Sequence, residues 1–94
     1  DIVELCTRDY SEAKNKKTQA KLLRDLALAS LLAKELGLEV HAGHGIQVAN
    51  LAELTAVPHL TELNIGHTLI SRAVFIGLEA AVREMKEAIS ALKW

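Results

Sequence analysis

Apolar positions along the chain follow two alternating periods, and the switches between them mark out a repeated unit. Three short runs, Ile2 to Thr7, Glu39 to Gly43 and Glu62 to Gly66, alternate apolar and polar residues as β-strands do. Each is followed by apolar residues at helical spacing. The first helix is predicted over Thr18 to Leu36, with Thr18 as N-cap and Gly37 as a C′ residue that takes a positive φ at little cost. Its buried stripe is Leu22, Leu23, Leu26, Ala29, Ala33 and Leu36. The second helix is short: Asn50 with Glu53 three positions later reads as a capping box, and Pro58 marks the exit. After the third strand, an extra short helix runs from Thr68 to Ile76 and is interrupted at Gly77. A final helix from Leu78 to about Lys93 carries Val82, Met85, Ala88, Ile89 and Leu92 on one side.

The order is therefore βα-βα-βαα, an α/β pattern with connections long enough for parallel strands. Residues 1–94 form a single domain with no linker. Three parallel strands alone leave two edges open, so the pattern is expected to be part of a larger barrel or sheet. The sequence opens on Asp1-Ile2-Val3-Glu4-Leu5, already in a strand and without an initiator Met. A piece of a longer chain, a processed product or an engineered segment is expected.

Alternation within the strands assigns their faces. Val3, Leu5, Val40, Ala42, Leu63 and Ile65 form one side, which must lie under the helices. Glu4, Cys6, Glu39, His41, Glu62 and Asn64 form the other. In a closed barrel this second face is the lumen, and it would be polar, whereas most such lumens are filled with Val, Ile and Leu. In an open α/β layer the same face simply meets solvent, and the pattern is equally compatible with that.

Composition narrows the class. Half the residues are apolar, and 11 basic residues against 12 acidic ones leave a net charge of −1. That excludes the clustered cations of a nucleic-acid or anionic-membrane surface. No apolar run reaches the length of a membrane span. Cys6 is the single cysteine, which rules out an intrachain disulfide and points to a reducing, cytoplasmic setting.

The sharpest motif is His41-Ala42-Gly43-His44-Gly45 at the end of the second strand. Barrel enzymes place catalytic groups at such strand ends, and imidazole is suited to general acid or base work. A Gly-His-Gly triplet alone is weak, and a histidine satisfied by local hydrogen bonds would look the same. The next strand adds to it, because Asn64-Ile65-Gly66-His67 feeds directly into the extra helix. A helix N-terminus after a late barrel strand is a recurrent phosphate site, with free N–H groups and a positive dipole end. Gly45 and Gly66 would let those N–H groups approach the anion. Arg72 either backs that phosphate or makes an ordinary ion pair. His59, beyond Pro58, reads as a surface residue, and Cys6 as a small packing residue. His41 and His44 point to opposite sides of the strand and lack a third ligand, so no metal site is predicted.

These residues resemble a known family. Ala42-Gly43-His44-Gly45, Glu62-Leu63-Asn64-Ile65-Gly66-His67, Arg72-Ala73-Val74 and Gly77-Leu78 are similar to the end of pyridoxine 5′-phosphate synthase, as are Val3-Glu4-Leu5, Thr7, Tyr10 and Ala13-Lys14. The resemblance covers essentially the whole chain. It implies the C-terminal three βα units of a TIM (β/α)8 barrel, with a short extra helix before the last helix. It implies an enzyme that condenses 3-amino-2-oxopropyl phosphate with 1-deoxy-D-xylulose 5-phosphate into pyridoxine 5′-phosphate, phosphate and water, with no cofactor. By the same resemblance His44 is the proton donor, and Gly45, Gly66 and His67 hold the aminooxopropyl phosphate. The family's hydrophilic barrel interior, a route for product water, matches the polar strand face. The family usually has His at Cys6 and Gly at Arg8 and Ser71, changes that bear on substrate fit. Its other catalytic residues come from earlier strands, so this chain would need the N-terminal part of the same barrel and would be inactive alone. By itself it is expected to cover its strand edges by forming a homo-oligomer. A non-catalytic partial barrel that binds phosphate or self-associates is the alternative. An aldolase-type or isomerase-type barrel is a third reading, but it would need a Schiff-base Lys or a carboxylate at a strand end, and neither is present.

Overall fold

The computed structural model describes residues 1–94. It has three parallel strands in the order β1-β2-β3, with β1 at Ile2–Cys6, β2 at Glu39–Gly43 and β3 at Leu60–Asn64. Helix α1 (Arg8–Glu12) and the long α2 (Lys16–Glu35) connect β1 to β2. A 3-10 turn (Val48–Asn50) and α3 (Leu51–Leu54) connect β2 to β3, and α4 (His67–Ile76) and α5 (Leu78–Ser90) follow. This is the α/β arrangement of three βα units expected from the periodicity, including the extra helix before the last. None of the helices is long and apolar enough to cross a membrane.

Several boundaries move, each for a local reason. Helix α2 starts earlier than predicted because Asn15, not Thr18, is the N-cap: its side chain accepts a 2.8 Å hydrogen bond from the Thr18 N–H. Asn50 does not cap α3 with Glu53. Its side chain instead closes a capping box with Gln47 around the 3-10 turn. Strand β3 begins at Leu60, two residues before the predicted start, and ends before Ile65. A register shift opposite Val40 and His41 inserts Thr61 into β3. The extra residue brings Leu60 and Leu63, an odd number of positions apart, onto the same covered side.

The core lies between the sheet and the helices. Tyr10, Ala42, Ile46, Leu51, Leu54, Val57 and Met85 form its buried centre, with Leu5, Leu22, Leu23, Leu26 and Leu63 among those packed around it. Of the stripe assigned to α2, Ala33 is buried, but Ala29 and Leu36 face solvent. Buried Ser30 takes a place on the covered side that the apolar count passed over, donating to the Pro58 carbonyl.

Candidate functional site

The polar strand face is as the alternation implies. Glu4, His41 and Glu62 lie side by side across the three strands, and Cys6, Gly43 and Asn64 form the next row. His41 is buried between two carboxylates, Nε2 being 2.6 Å from Glu39 Oε2 and Nδ1 3.2 Å from Glu62 Oε2. It braces the sheet and does not reach the strand ends. Cys6 is exposed, which corrects its reading as a packing residue. His59 is exposed, as expected.

At the C-terminal end of the strands the chain encloses a cleft of about 650 Å³. Its lining includes His44, Gly45, Gly66 and His67, so all four predicted site residues face one space. His44 has a left-handed backbone, φ 82°, which a non-glycine residue adopts only under constraint. That constraint is Thr7, fully buried, whose hydroxyl lies 2.8 Å from the Gly43 carbonyl and 2.6 Å from the His44 carbonyl and donates its single proton between them. The Thr7 N–H donates to the same Gly43 carbonyl at 2.8 Å. Downstream, Asn50 Nδ2 donates to the Gly45 carbonyl at 3.3 Å and Thr68 Oγ1 to the Ile46 carbonyl at 2.5 Å. Tyr10 donates to the Asn50 carbonyl at 2.7 Å. The segment carrying His44 is thus tied to three separate elements.

The two glycines flanking His44 differ: Gly45 is required by both conformation and space, whereas Gly43 faces only the movable end of the Glu4 side chain. Gly45 has φ 73°, and a Cβ on it would come within 2.9 Å of the Ser11 Cβ. A Cβ on Gly43 would meet the Glu4 carboxyl group at 3.0 to 3.1 Å. Gly66 differs: its φ is −137° and nothing lies near its missing side chain, so its place as N-cap of α4 owes nothing to strain. The N–H groups of His67, Thr68 and Leu69 open α4 and have no partner within it, which favours an anion at the cleft floor.

Glu4 is the residue that the motif reading missed. Two positions before the end of β1, it brings a carboxylate into the cleft, with Oε1 3.7 Å from His44 Nδ1 and Oε2 accepting from Asn64 Nδ2 at 2.7 Å. Glu4 sits in mid-strand, so no carboxylate stands at the strand end itself, but this one reaches the cleft from the row below. The available signal was the period-2 spacing that put Glu4 on the polar face. Arg8 also lines the cleft and forms no ion pair, whereas Arg72 is committed elsewhere. Arg72 Nε and Nη2 each donate to Glu84 at 3.2 Å, and that pairing raises its guanidinium pKa further. Of its two sequence readings, the ion pair is the one formed. Ser71 lines a neighbouring groove of about 590 Å³ between the 3-10 turn and α4 and α5, which shares His67 and Thr68 with the cleft. No group of three or more His, Cys, Asp or Glu side chains is arranged to hold a metal ion.

The chain is similar to known proteins over nearly its whole length. A family model described as pyridoxal phosphate biosynthesis protein PdxJ matches residues 1–91. The pyridoxine 5′-phosphate synthase of Elusimicrobium minutum is 53% identical over 88 residues, covering 94% of this chain and 36% of the relative. That of Akkermansia muciniphila is 49% identical over 92 residues, covering 97% of this chain and 37% of the relative. That of a Synechocystis strain is 46% identical over 91 residues, covering 97% and 38% respectively. The chain spans a little over a third of the length of these relatives.

Proposed function

The chain belongs to the PdxJ family of pyridoxal phosphate biosynthesis proteins, and from that membership we propose that it forms the C-terminal three βα units of a pyridoxine 5′-phosphate synthase barrel. The reaction assigned to the completed barrel is the condensation of 3-amino-2-oxopropyl phosphate with 1-deoxy-D-xylulose 5-phosphate. The observation that carries the reading is the convergence in one cleft of a constrained His44 and the open N-terminus of α4.

His44 is the proton-transfer residue. Its ring is half exposed to the cleft, so it can reach a bound substrate, and its backbone cannot relax away without losing the Thr7 bonds. Glu4 faces the ring at Nδ1 from 3.7 Å, as a charge beyond hydrogen-bond distance, and Asn64 holds Glu4 in that place. That leaves Nε2 as the nitrogen directed at substrate. Gly45, Gly66 and His67 form the cradle for the aminooxopropyl phosphate, with the first N–H groups of α4 as donors. Arg8 adds an unpaired cation at the rim of the same cleft. The remaining groups belong to the N-terminal part of the barrel, without which the chain is expected to be inactive.

The test is steady-state kinetics on a complete synthase carrying this segment. His44→Ala should lower kcat by roughly 10²- to 10⁴-fold, the range of general acid–base catalysis, and change KM only a few-fold. His67→Ala should chiefly raise KM for 3-amino-2-oxopropyl phosphate. Loss of kcat and of binding to an equal extent in His44→Ala would remove the proton-transfer role.

A further inference from the structure

The loop after β2 and the first turn of α4 supply the two halves of the proposed cradle, and a single hydrogen bond joins them. In the loop, every carbonyl from Gly43 to Ile46 accepts from a donor elsewhere in the chain. Gly43 and His44 accept from Thr7, Gly45 from Asn50 and Ile46 from Thr68. The N–H groups of His44, Gly45 and Ile46, by contrast, donate to nothing within the chain. A trans peptide points its carbonyl and its N–H in opposite directions. Anchoring the carbonyls in the protein therefore turns these N–H groups outward, and all three residues line the cleft. The unpaired N–H groups of His67, Thr68 and Leu69 form the other half.

The anchors of the loop are not equivalent. Thr7 ties it to the end of β1, and Asn50 ties it to its own 3-10 turn; neither touches α4. Thr68 Oγ1 lies 2.5 Å from the Ile46 carbonyl across 22 positions, and this is the only hydrogen bond between residues 43–50 and α4. An N–H···O bond holds over a range of only about 0.5 Å. One phosphate is therefore gripped by both sets of N–H groups only while their spacing is kept. Without the hydroxyl, the Ile46 carbonyl also loses its donor, and its oxygen is free to turn into the cleft against a bound anion. We propose that Thr68 is a positioning residue for the phosphate substrate: its hydroxyl sets the Gly45 and Ile46 N–H groups against the N-terminus of α4, so that both reach one phosphate. The inference rests on the phosphate-cradle reading above and adds to it a residue that acts through the backbone of another segment.

Steady-state kinetics on a complete synthase carrying this segment tests it, with circular dichroism confirming the fold of every variant. Thr68→Val and Thr68→Ala both remove the donor, Val keeping the shape and Ala favouring the helix. Each should raise KM for 3-amino-2-oxopropyl phosphate roughly three- to tenfold, the factor of one neutral hydrogen bond, and leave kcat within about twofold. KM for 1-deoxy-D-xylulose 5-phosphate should not change. Inorganic phosphate, used as a competitive inhibitor against 3-amino-2-oxopropyl phosphate, should weaken by the same factor. Thr68→Ser keeps the hydroxyl and should restore both constants. An unchanged KM in Thr68→Val and Thr68→Ala, beside a raised KM in His67→Ala, would overturn the proposal and leave the cradle standing. An unchanged KM in all three would remove the cradle and the proposal with it. A Thr68→Ser variant as weak as Thr68→Val would overturn the role of the hydroxyl, and a loss confined to kcat would overturn the assignment to phosphate binding.

Discussion

At the scale of single residues, the site depends on bonds between positions far apart in the chain. The Gly-His-Gly triplet and the Gly66-His67 pair can be read directly from the sequence, because strand ends and helix starts are local features. Thr7 and Glu4 cannot be read that way. Thr7 bonds across 36 positions, and Glu4 meets Asn64 across 60, so neither is visible until the strands are in register. Gly45 offers a direct check. With φ 73° and Ser11 against its Cβ position, Gly45→Ala should destabilise the chain by roughly 1–3 kcal/mol in urea unfolding. Gly66→Ala, free of both constraints, should cost under about 1 kcal/mol. Tyr10 supplies a pH signature. Burial, and secondarily the charge of Glu53, push its phenol from 10.0 up to about 12. The folded chain therefore favours the neutral phenol, and the stabilisation is whole below pH 10 and lost as the pH climbs through about 12. The difference in stability between the wild-type chain and Tyr10→Phe should be constant from pH 7 to 9 and shrink above 10. A difference that stays flat to pH 12 would contradict the assignment.

At the scale of elements, periodicity located every strand and the long helices, and both ends of β2, but misplaced several other ends. The ends depend on interactions that periodicity does not encode. The start of α2 is set by one side-chain hydrogen bond, and Asn15 and Thr18 are both good cap residues when read alone. Asn15→Ala should cost about 1 kcal/mol, whereas Thr18→Ala, which leaves the capped N–H in place, should cost well under half of that. The start of β3 was hidden by its bulge. Strict alternation puts Leu60 and Leu63 on opposite faces, so a pattern search drops Leu60 and begins at Glu62. Helix α1 escaped because Arg8–Glu12 is a little over one turn and carries a single core residue, Tyr10. Short elements held by one buried side chain leave almost no periodic trace.

At the scale of the whole molecule, the sheet raises a question that the barrel reading answers in a measurable way. Strand β2 is paired on both sides, while β1 and β3 each have one edge free. On those free edges, backbone N–H and C=O groups that point outward have no ladder partner. In the separate 94-residue chain, amide hydrogen exchange should therefore be slowest in β2, with the outward amides of β1 and β3 exchanging much faster. In a closed barrel both edges acquire neighbours, since the strand before β1 and the first strand of the barrel would pair with them. Exchange measured on the complete synthase should then show protection gained at Ile2–Cys6 and Leu60–Asn64, with Glu39–Gly43 little changed. Edge amides that remain fast in the complete protein would argue for an open α/β layer, and the polar face of Glu4, His41 and Glu62 would then be a solvent face and not a lumen.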